Sequence, residues 1–192
     1  MSRYHVEQKG ISFEVGVEQA QFGDLDMFGT LLQIKEAEKD PIFEIGTGGS
    51  VVSNPLVEGG VVYFGACDHN FYAVDAKTGR LVWKFETKGP VCVGRWPAVS
   101  SDTIFFGSYD HNLYALDLLT GREKWRFTAR DKIASSPVVH GGVVYFGCRD
   151  GNLYAVSLEG KEVWMFPTKG PISAGPVLHE GMLCFGSFDH NL

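Results

Sequence analysis

A short motif recurs at nearly constant spacing along this chain of 192 residues. It consists of apolar residues, an aromatic residue, Phe-Gly and an Asp three positions after the glycine. It reads VVYFGACD, TIFFGSYD and VVYFGCRD, and MLCFGSFD is a close fourth copy. Its glycines are Gly65, Gly107, Gly147 and Gly186, at separations of 42, 40 and 39 residues, and a fainter copy places Gly23 42 residues before Gly65. A period of about 40 residues with strand-like content predicts stacked β units, most often the blades of a propeller.

Each repeat divides into four predicted strands. The first is short and contains a proline (SNPLV, SSPVV), the second is the Phe-Gly run, the third reads FYAVD, LYALD or LYAVS, and the fourth follows a glycine turn (RLVWKF, REKWRF). These runs are β-branched and aromatic and are bounded by Gly, Asp and Asn, which is typical of half-buried strands. One tryptophan per repeat, Trp83, Trp125 or Trp164, follows the motif glycine by 18, 18 and 17 residues. We interpret these tryptophans as wedges that pack one blade against the next, rather than as a stacking site for a ligand.

The combined pattern, vvYFGxxDxNLYALDxxTGxxxWxF, resembles the PQQ-like (pyrroloquinoline-quinone-type) β-propeller repeat. That repeat occurs in quinoprotein dehydrogenases and in non-enzymatic propellers such as the outer-membrane barrel assembly lipoprotein. The resemblance covers residues 50–192 well and residues 11–43 weakly, because Pro41 stands near the expected tryptophan and KEAEKD replaces the Thr-Gly turn. It implies an all-β fold of four-stranded antiparallel blades.

The repeats predict a degenerate first repeat or edge strands over residues 1–50 and PQQ-like repeats over residues 51–192. Blades are expected at about 51–91, 92–132 and 133–171, with a partial blade at 172–192. These four to five units are fewer than the seven or eight blades that the resemblance implies, and the last copy stops at FDHNL within the motif. Three arrangements stay open: a fragment of a longer protein, a small ring closed by the N-terminal strands, and a homodimer that completes one larger ring. A half-made blade would leave an unpaired edge. We favour the fragment, because the sequence stops inside the motif.

The turn after the second strand carries Asp-His-Asn in three copies, a set of side chains that could bind a metal. Its middle residue is His69, His111 or His190, but Gly151 in the remaining copy indicates a left-handed backbone rather than a ligand. A metal needs ligands within ~2 Å, whereas packed sheets lie ~10 Å apart. We therefore predict no metal site and assign the flanking residues to turn capping. These residues are Asp68, Asp110, Asp150 and Asp189, together with Asn70, Asn112, Asn152 and Asn191.

In an antiparallel blade, the turn after the second strand and the connector after the fourth strand open on the same face. The connectors ETKGPV, TARDKI and PTKGPI carry Lys88, Arg130 and Lys169 at equivalent positions, and Lys132 adds a further charge. This ring of cations would attract an anion, an acidic peptide or a sugar acid. The alternative is that these side chains are solvated cations in exposed loops.

The first strand lines the central channel in PQQ-like propellers. Before its proline the repeats carry pairs such as Ser135-Ser136 and Ala174-Gly175, whereas the second repeat carries Arg95-Trp96. A guanidinium beside an indole could hold an anionic or planar ligand. A plug that closes the channel is an equal alternative.

We predict a non-catalytic scaffold that binds a protein or peptide, or else an anionic or carbohydrate ligand. The resemblance to quinoprotein dehydrogenases implies a vicinal Cys-Cys disulfide, a calcium site and a catalytic aspartate. No two cysteines are adjacent here, and no set of oxygen ligands outside the repeats suggests a calcium cage. We therefore expect no cofactor, PQQ included. The alternatives are a fragment of a PQQ-dependent dehydrogenase and the sensor domain of a larger protein. A net charge of −6 argues against nucleic-acid binding.

The four cysteines, Cys67, Cys92, Cys148 and Cys184, lack the spacing of a zinc site or a disulfide framework, and we expect free thiols. Free thiols and the absence of an apolar leader in MSRYHVEQKG favour the cytoplasm, with a periplasmic or extracellular location as the alternative for a fragment. No run approaches the ~20 apolar residues of a transmembrane helix, so we expect no membrane insertion.

Overall fold

The computed structural model describes the backbone of residues 2–8 and 11–17 and, with side chains, residues 45–91 and 96–191. Strands β1 (Ser2–Gln8) and β2 (Ile11–Val17) form an antiparallel hairpin. Across the described ranges, no helix is long and apolar enough to cross a membrane.

Three four-stranded antiparallel sheets follow, each with its strands in chain order. The first contains β3 (Leu56–Glu58), β4 (Val61–Gly65), β5 (Asn70–Asp75) and β6 (Leu81–Glu86). The second contains β7 (Ala98–Ser100), β8 (Thr103–Gly107), β9 (Asn112–Asp117) and β10 (Glu123–Thr128). The third contains β11 (Val138–His140), β12 (Val143–Gly147), β13 (Asn152–Ser157) and β14 (Glu162–Pro167).

The last two strands, β15 (Val177–His179) and β16 (Met182–Cys184), pair only with each other among the described strands. The described sheets do not close into a ring. The predicted class, an all-β propeller of four-stranded antiparallel blades that is either incomplete or closed by N-terminal strands, is confirmed, and the open sheets agree with the incomplete form.

Apolar side chains from both faces of the two middle strands form the core between successive blades. Phe71 of the first blade stacks on Phe106 of the second with ring centroids 4.0 Å apart, and both rings are buried. Phe127 of the second blade meets Phe146 and Tyr154 of the third in edge-to-face contacts. Because both faces of β5, β9 and β13 are covered, these strands read as nearly continuous apolar runs.

The glycines of the first three Phe-Gly pairs, Gly65, Gly107 and Gly147, are required by close packing. A Cβ at Gly107 would overlap Ile133 of the connector that leads to the next blade, and one at Gly147 would overlap Ile172 in the same way. The backbone of the second strand thus lies directly against an apolar side chain of the following connector. This contact explains why the repeat places glycine there.

The tryptophans of the first two blades pack under a glycine turn of the following blade. Trp83 is 9% exposed, its Nε1–H donates to the Leu118 carbonyl at 3.2 Å, and a Cβ at Gly121 would lie 2.5 Å from its ring. Trp125 makes the same contacts with the Leu158 carbonyl, at 2.7 Å, and with Gly160. Trp164 occupies the equivalent place in the third blade but is 40% exposed.

One expectation about the cysteines is wrong: Cys67 is disulfide-bonded, whereas Cys148 and Cys184 are free. Stacking of the blades brings the turn at residue 67 against the connector at residue 91, since the Val91 N–H donates to the Ala66 carbonyl at 3.1 Å. Spacing along the chain does not reveal such a contact. The inference from free thiols to a reducing compartment therefore loses its premise, because structural disulfides belong to oxidising compartments.

The wedge packing predicts a specific cost for a side chain at Gly121. Gly121→Ala places a Cβ at φ +67° and against Trp83, whereas Gly141→Ala places one at φ +57° in open space. Gly141→Ala is expected to cost about 1 kcal/mol from the left-handed backbone. Gly121→Ala is expected to cost about 1–3 kcal/mol more, from overpacking.

Chemical denaturation of both variants measures the difference. Equal free energies of unfolding would show that the Trp83–Gly121 contact does not contribute to packing between the blades.

Candidate binding face

The Asp turn, the tight turn between the second and third strands of a blade, is built around one carboxylate. In the second blade, Asp110 Oδ1 accepts the Asn112 backbone N–H at 3.1 Å, which closes the turn. Asp110 Oδ2 accepts the Tyr114 hydroxyl at 2.7 Å and the Lys88 backbone N–H at 2.9 Å. Because Lys88 lies in the connector that leaves the first blade, one side chain joins two blades.

The same bond between blades recurs at every Asp turn. The Oδ2 atoms of Asp68, Asp150 and Asp189 accept the backbone N–H groups of Gly48, Arg130 and Lys169 at 3.0, 3.3 and 3.0 Å. The Oδ1 atoms of these aspartates accept the backbone N–H groups of Asn70, Asn152 and Asn191 at 3.0, 2.9 and 3.1 Å. We call this carboxylate bridge the Asp latch.

Hydrogen bonding lowers the pKa of Asp110 and burial raises that of its tyrosine partner. Burial of Asp110 opposes ionisation, but the hydrogen bonds from Tyr114, Lys88 and Asn112 outweigh it and hold the pKa of this carboxyl below its usual range. Burial, together with the hydrogen bond to Asp110, raises the pKa of Tyr114. Asp110 is thus an anion that its partners hold in one place.

The histidines of the Asp turns occupy the position of the turn that has a left-handed backbone conformation. His69, His111 and His190 have φ values of +70°, +75° and +70°, and Gly151 has +87°. The His111 carbonyl accepts the Ala129 N–H at 2.9 Å, which ties the turn to its own connector. Among the residues with described side chains, no three His, Cys, Asp or Glu side chains are grouped closely enough to hold a metal ion.

The Asp turns and the connectors share one face, which we call the connector face. The Lys88, Arg130, Lys132 and Lys169 side chains are exposed there. No carboxylate of the described residues lies within 4.0 Å of their charged nitrogens. Lys132 Nζ lies 5.2 Å from the centroid of the Tyr109 ring, a cation–π contact. The latches fix the backbone amides of Lys88, Arg130 and Lys169, so the fold sets the points from which these three side chains extend.

The connector face carries nearly balanced charge, whereas the whole chain is acidic. Over residues 66–70, 86–91, 108–112, 128–133, 148–152, 167–172 and 187–191 there are five Lys or Arg residues and six carboxylates. Four of those carboxylates are the latch aspartates, which leaves Glu86 and Asp131 to oppose the cations. The chain carries a net charge of −6, yet this face presents more available cations than carboxylates.

The predicted Arg95-Trp96 site is described only in part, because Arg95 lies outside the described residues. Trp96 is 42% exposed, and its backbone N–H donates to Ser136 Oγ at 2.9 Å. It borders a small cleft, partly open to solvent, together with Ser53 and Ser135. Both of these hydroxyls are bonded to the backbone of Gly65 and Gly147, so neither is available to a ligand.

One cation of the connector face was missing from the sequence-based set. Arg149 lies two residues after the motif glycine, and its side chain is exposed. The other repeats carry Cys67, Tyr109 and Phe188 at this position. Comparison of connectors alone does not find it, because it lies in an Asp turn. Its place becomes evident once turns and connectors are known to share a face.

Loss of the Asp110 carboxylate is expected to cost about 2 kcal/mol at neutral pH, because its partners lose charge-assisted hydrogen bonds. The lowered pKa of Asp110 means that the unfolded chain takes up protons first as the pH falls. Stability from this group is therefore complete above about pH 4 and is lost as the pH falls through the lower folded pKa. Urea titrations across this range should give Asp110→Ala a shallower acid decline than wild type.

Glu159→Ala is the matched control, since Glu159 is exposed and its carboxylate makes no hydrogen bond to a described residue. It should leave the acid decline unchanged. An Asp110→Ala curve parallel to wild type would contradict the role of the latch.

His111→Gly tests the turn in the opposite direction. Glycine occupies the equivalent Gly151 at φ +87°, so the change should alter stability by no more than about 0.5 kcal/mol. Zinc binding by wild type that His111→Gly abolishes, measured by calorimetry, would restore the metal interpretation.

Comparison with known proteins places the chain among propellers of this type. A family model described as outer membrane protein assembly factor BamB matches residues 8–128 and 93–180. BamB from Moraxella catarrhalis superposes with a TM-score of 0.71 at 16% identity, over 86% of this chain and 60% of that one. The computationally designed protein Ika8 gives 0.76 at 13% identity, over 97% of this chain and 55% of that one.

A quinohemoprotein alcohol dehydrogenase from Pseudomonas putida HK5 is also similar. It has a TM-score of 0.55 and 31% identity over 62% of this chain, but this covers only 20% of the dehydrogenase. The chain thus spans three fifths of the BamB structure and one fifth of the dehydrogenase. No curated protein sequence matches the chain significantly.

Proposed function

Because the chain belongs to the BamB-like family of PQQ-type propeller repeats, we propose that it is a non-catalytic scaffold whose connector face binds an acidic segment of another protein. The family description names an assembly factor, which supports protein partners as the class of ligand. BamB and the quinohemoprotein dehydrogenase share this repeat, so the repeat alone does not choose between scaffold and enzyme. The choice therefore rests on the residues of the connector face.

The observation that carries the proposal is the division of charge on this face. Every latch aspartate is occupied by backbone and side-chain donors, and Asp110 accepts three backbone or hydroxyl hydrogen bonds. Lys88, Arg130 and Lys169 keep their backbone fixed by these latches and their side chains in solvent. A row of cations on a rigid face steers and orients an acidic partner.

Rigid spacing adds specificity for an extended acidic segment. Each blade presents one cation whose backbone N–H is bound by a latch aspartate, and the latch geometry repeats from blade to blade. A flexible loop would have to order its lysines on binding, whereas here the backbone of each cation is already held. Carboxylates spaced along one peptide are therefore the ligand that this face fits best.

Charge reversal at Lys88, Arg130 and Lys169 tests the proposal. The probe is a fluorescein-labelled oligoglutamate peptide followed by fluorescence anisotropy at low ionic strength. We expect the triple Lys88→Glu, Arg130→Glu and Lys169→Glu variant to bind at least about 10-fold more weakly. Wild-type affinity should fall as salt is raised toward ~0.15 M.

The matched control reverses the same number of charges, one per blade, on the opposite face. Lys77, Arg122 and Lys161 lie in the turns between the third and fourth strands and are exposed. Their triple reversal to Glu should weaken binding far less than the connector-face triple. Equal losses from the two triples would mean that only net charge matters and would overturn the assignment of the face.

The enzyme alternative requires PQQ and its metal ion, and two observations on the described residues support the scaffold over it. They contain no group of three His, Cys, Asp or Glu side chains that could hold a metal, and the cleft beside Trp96 has its two serine hydroxyls bonded to backbone. We expect no change in PQQ absorbance when the chain is titrated with PQQ and calcium. Saturable binding in that titration would favour the dehydrogenase alternative.

A further inference from the structure

The connector from the second to the third blade departs from a pattern that the other described connectors share. In each of the others a threonine hydroxyl donates to the carbonyl of a glycine two residues later. These segments are residues 47–49, 87–89 and 168–170. The second connector instead reads Ala-Arg-Asp at residues 129–131, and Lys132 follows where the first and third connectors have proline. Departures from a locally consistent pattern tend to occur at functional sites, and here the replacements of glycine and proline are charged.

The glycine of the ordinary connector lies against the neighbouring Asp turn. A Cβ at Gly89 would lie 2.8 Å from the backbone nitrogen of Asp110. Asp131 stands at the equivalent position of the second connector and does carry a Cβ. The latch at this connector is the longest of the four described latches, with 3.3 Å between the Arg130 nitrogen and Asp150 Oδ2. The replacement of glycine therefore coincides with a looser fit of the connector to its turn.

The second connector is nevertheless held by the turn of the third blade. The Cys148 thiol donates to the Asp131 carbonyl at 3.2 Å, and the Arg149 backbone N–H donates to the Lys132 carbonyl at 3.1 Å. The backbone that carries Lys132 is thus fixed next to the backbone that carries Arg149.

An aromatic ring of the second blade orients the Lys132 side chain. Lys132 Nζ lies 5.2 Å from the centroid of the half-buried Tyr109 ring, so the cation–π attraction draws the ammonium group toward this ring. Tyr109 is therefore a positioning residue. We call Tyr109, Arg130, Lys132 and Arg149 the junction cluster.

The junction cluster concentrates the positive charge of the connector face at one place. It holds three of the five cations of that face, whereas Lys88 and Lys169 are the single cations of their connectors. The three charged side chains are exposed, and no carboxylate of the described residues pairs with them. Asp131 is the one nearby carboxylate that holds no latch, and its Oδ1 accepts the Lys132 backbone N–H at 2.7 Å.

We propose that the junction cluster binds a closely spaced group of carboxylates, while Lys88 and Lys169 each bind a single carboxylate on either side. This inference rests on the proposed function and specifies its ligand: an extended segment whose acidic residues are concentrated in the middle. Stacked sheets lie ~10 Å apart and an extended chain advances ~3.4 Å per residue. About three residues of the segment therefore span the step from one blade to the next.

Two peptides of identical composition and net charge test this pattern. Fluorescein-labelled ESSEEESSE concentrates its glutamates in the middle, and fluorescein-labelled EESSESSEE spreads them toward its ends. Fluorescence anisotropy with the full chain at low ionic strength should show at least about 5-fold tighter binding of ESSEEESSE. The difference is modest because ion pairs at an exposed surface are individually weak.

Removal of two cations from the junction cluster should abolish this preference. The double variant Lys132→Gln, Arg149→Gln should bind the two peptides with affinities within about 2-fold of each other. The matched control, Lys77→Gln with Lys161→Gln, removes the same charge from exposed turns of the opposite face and should keep the preference. All four side chains are exposed, so the thermal unfolding midpoint should stay the same in both variants.

Substitution of Tyr109 tests its positioning role. Tyr109→Leu removes the ring and should reduce the preference for ESSEEESSE, because Lys132 is no longer oriented. Tyr109→Phe keeps the ring and should restore the wild-type preference. Equal effects of the two variants would show that the ring does not position Lys132.

Crosslinking reports the register of the bound peptide. A carbodiimide joins a peptide carboxylate to a lysine amine as an amide, with loss of water, and mass spectrometry identifies the pair. The middle glutamates of ESSEEESSE should attach to Lys132, and its terminal glutamates should attach to Lys88 and Lys169. Attachment of the middle glutamates mainly to Lys88 or Lys169 would overturn the proposal.

The peptide experiment separates this inference from the proposed function. Equal binding of the two peptides by wild type, with both weakened by the charge reversals at Lys88, Arg130 and Lys169, would overturn the role of the junction cluster and leave the acidic partner in place. A preference that persists in the double variant would also overturn it. Binding of neither peptide would contradict the proposed function itself.

Discussion

One carboxylate per repeat holds both its own turn and the preceding connector. Asp110 is the clearest case, because Asn112, Tyr114 and Lys88 all donate to it and the last of these belongs to the connector from the blade before. Repetition of this bond sets the stagger of successive blades. The aspartate oxygens of the connector face already accept hydrogen bonds from the chain. The neighbouring cations make no ion pair with a described carboxylate and remain available to a ligand.

Packing between blades depends on pairs of a glycine and a large apolar side chain. Ile133 of the following connector packs directly against Gly107, and Trp83 of the preceding blade packs directly against Gly121. These contacts are specific in shape, so a blade edge that lacks its neighbour presents a defined surface rather than a general apolar patch.

Much of the fold could be predicted from the sequence, because the same residues recur at equivalent strands and turns of each blade. The Phe-Gly spacing identified the blades, and glycine at position 151 identified the left-handed residue of the Asp turn. The latch to Lys88 could not be predicted, because it joins residues 22 positions apart through a contact between blades. The disulfide of Cys67 was missed for the same reason, and Arg149 was missed because its charge lies in a turn rather than in a connector.

We propose that the connector face, where fixed backbone and exposed cations coincide, is the binding surface. Hydrogen exchange with and without an oligoglutamate peptide measures this most directly, because it reports each turn and connector separately. With the peptide bound, we expect slower amide exchange in the connectors at residues 87–90, 129–132 and 168–171. Exchange should be unchanged in the turns at residues 76–80, 118–122 and 158–161 of the opposite face. Slower exchange in those opposite turns, or none in the connectors, would contradict it.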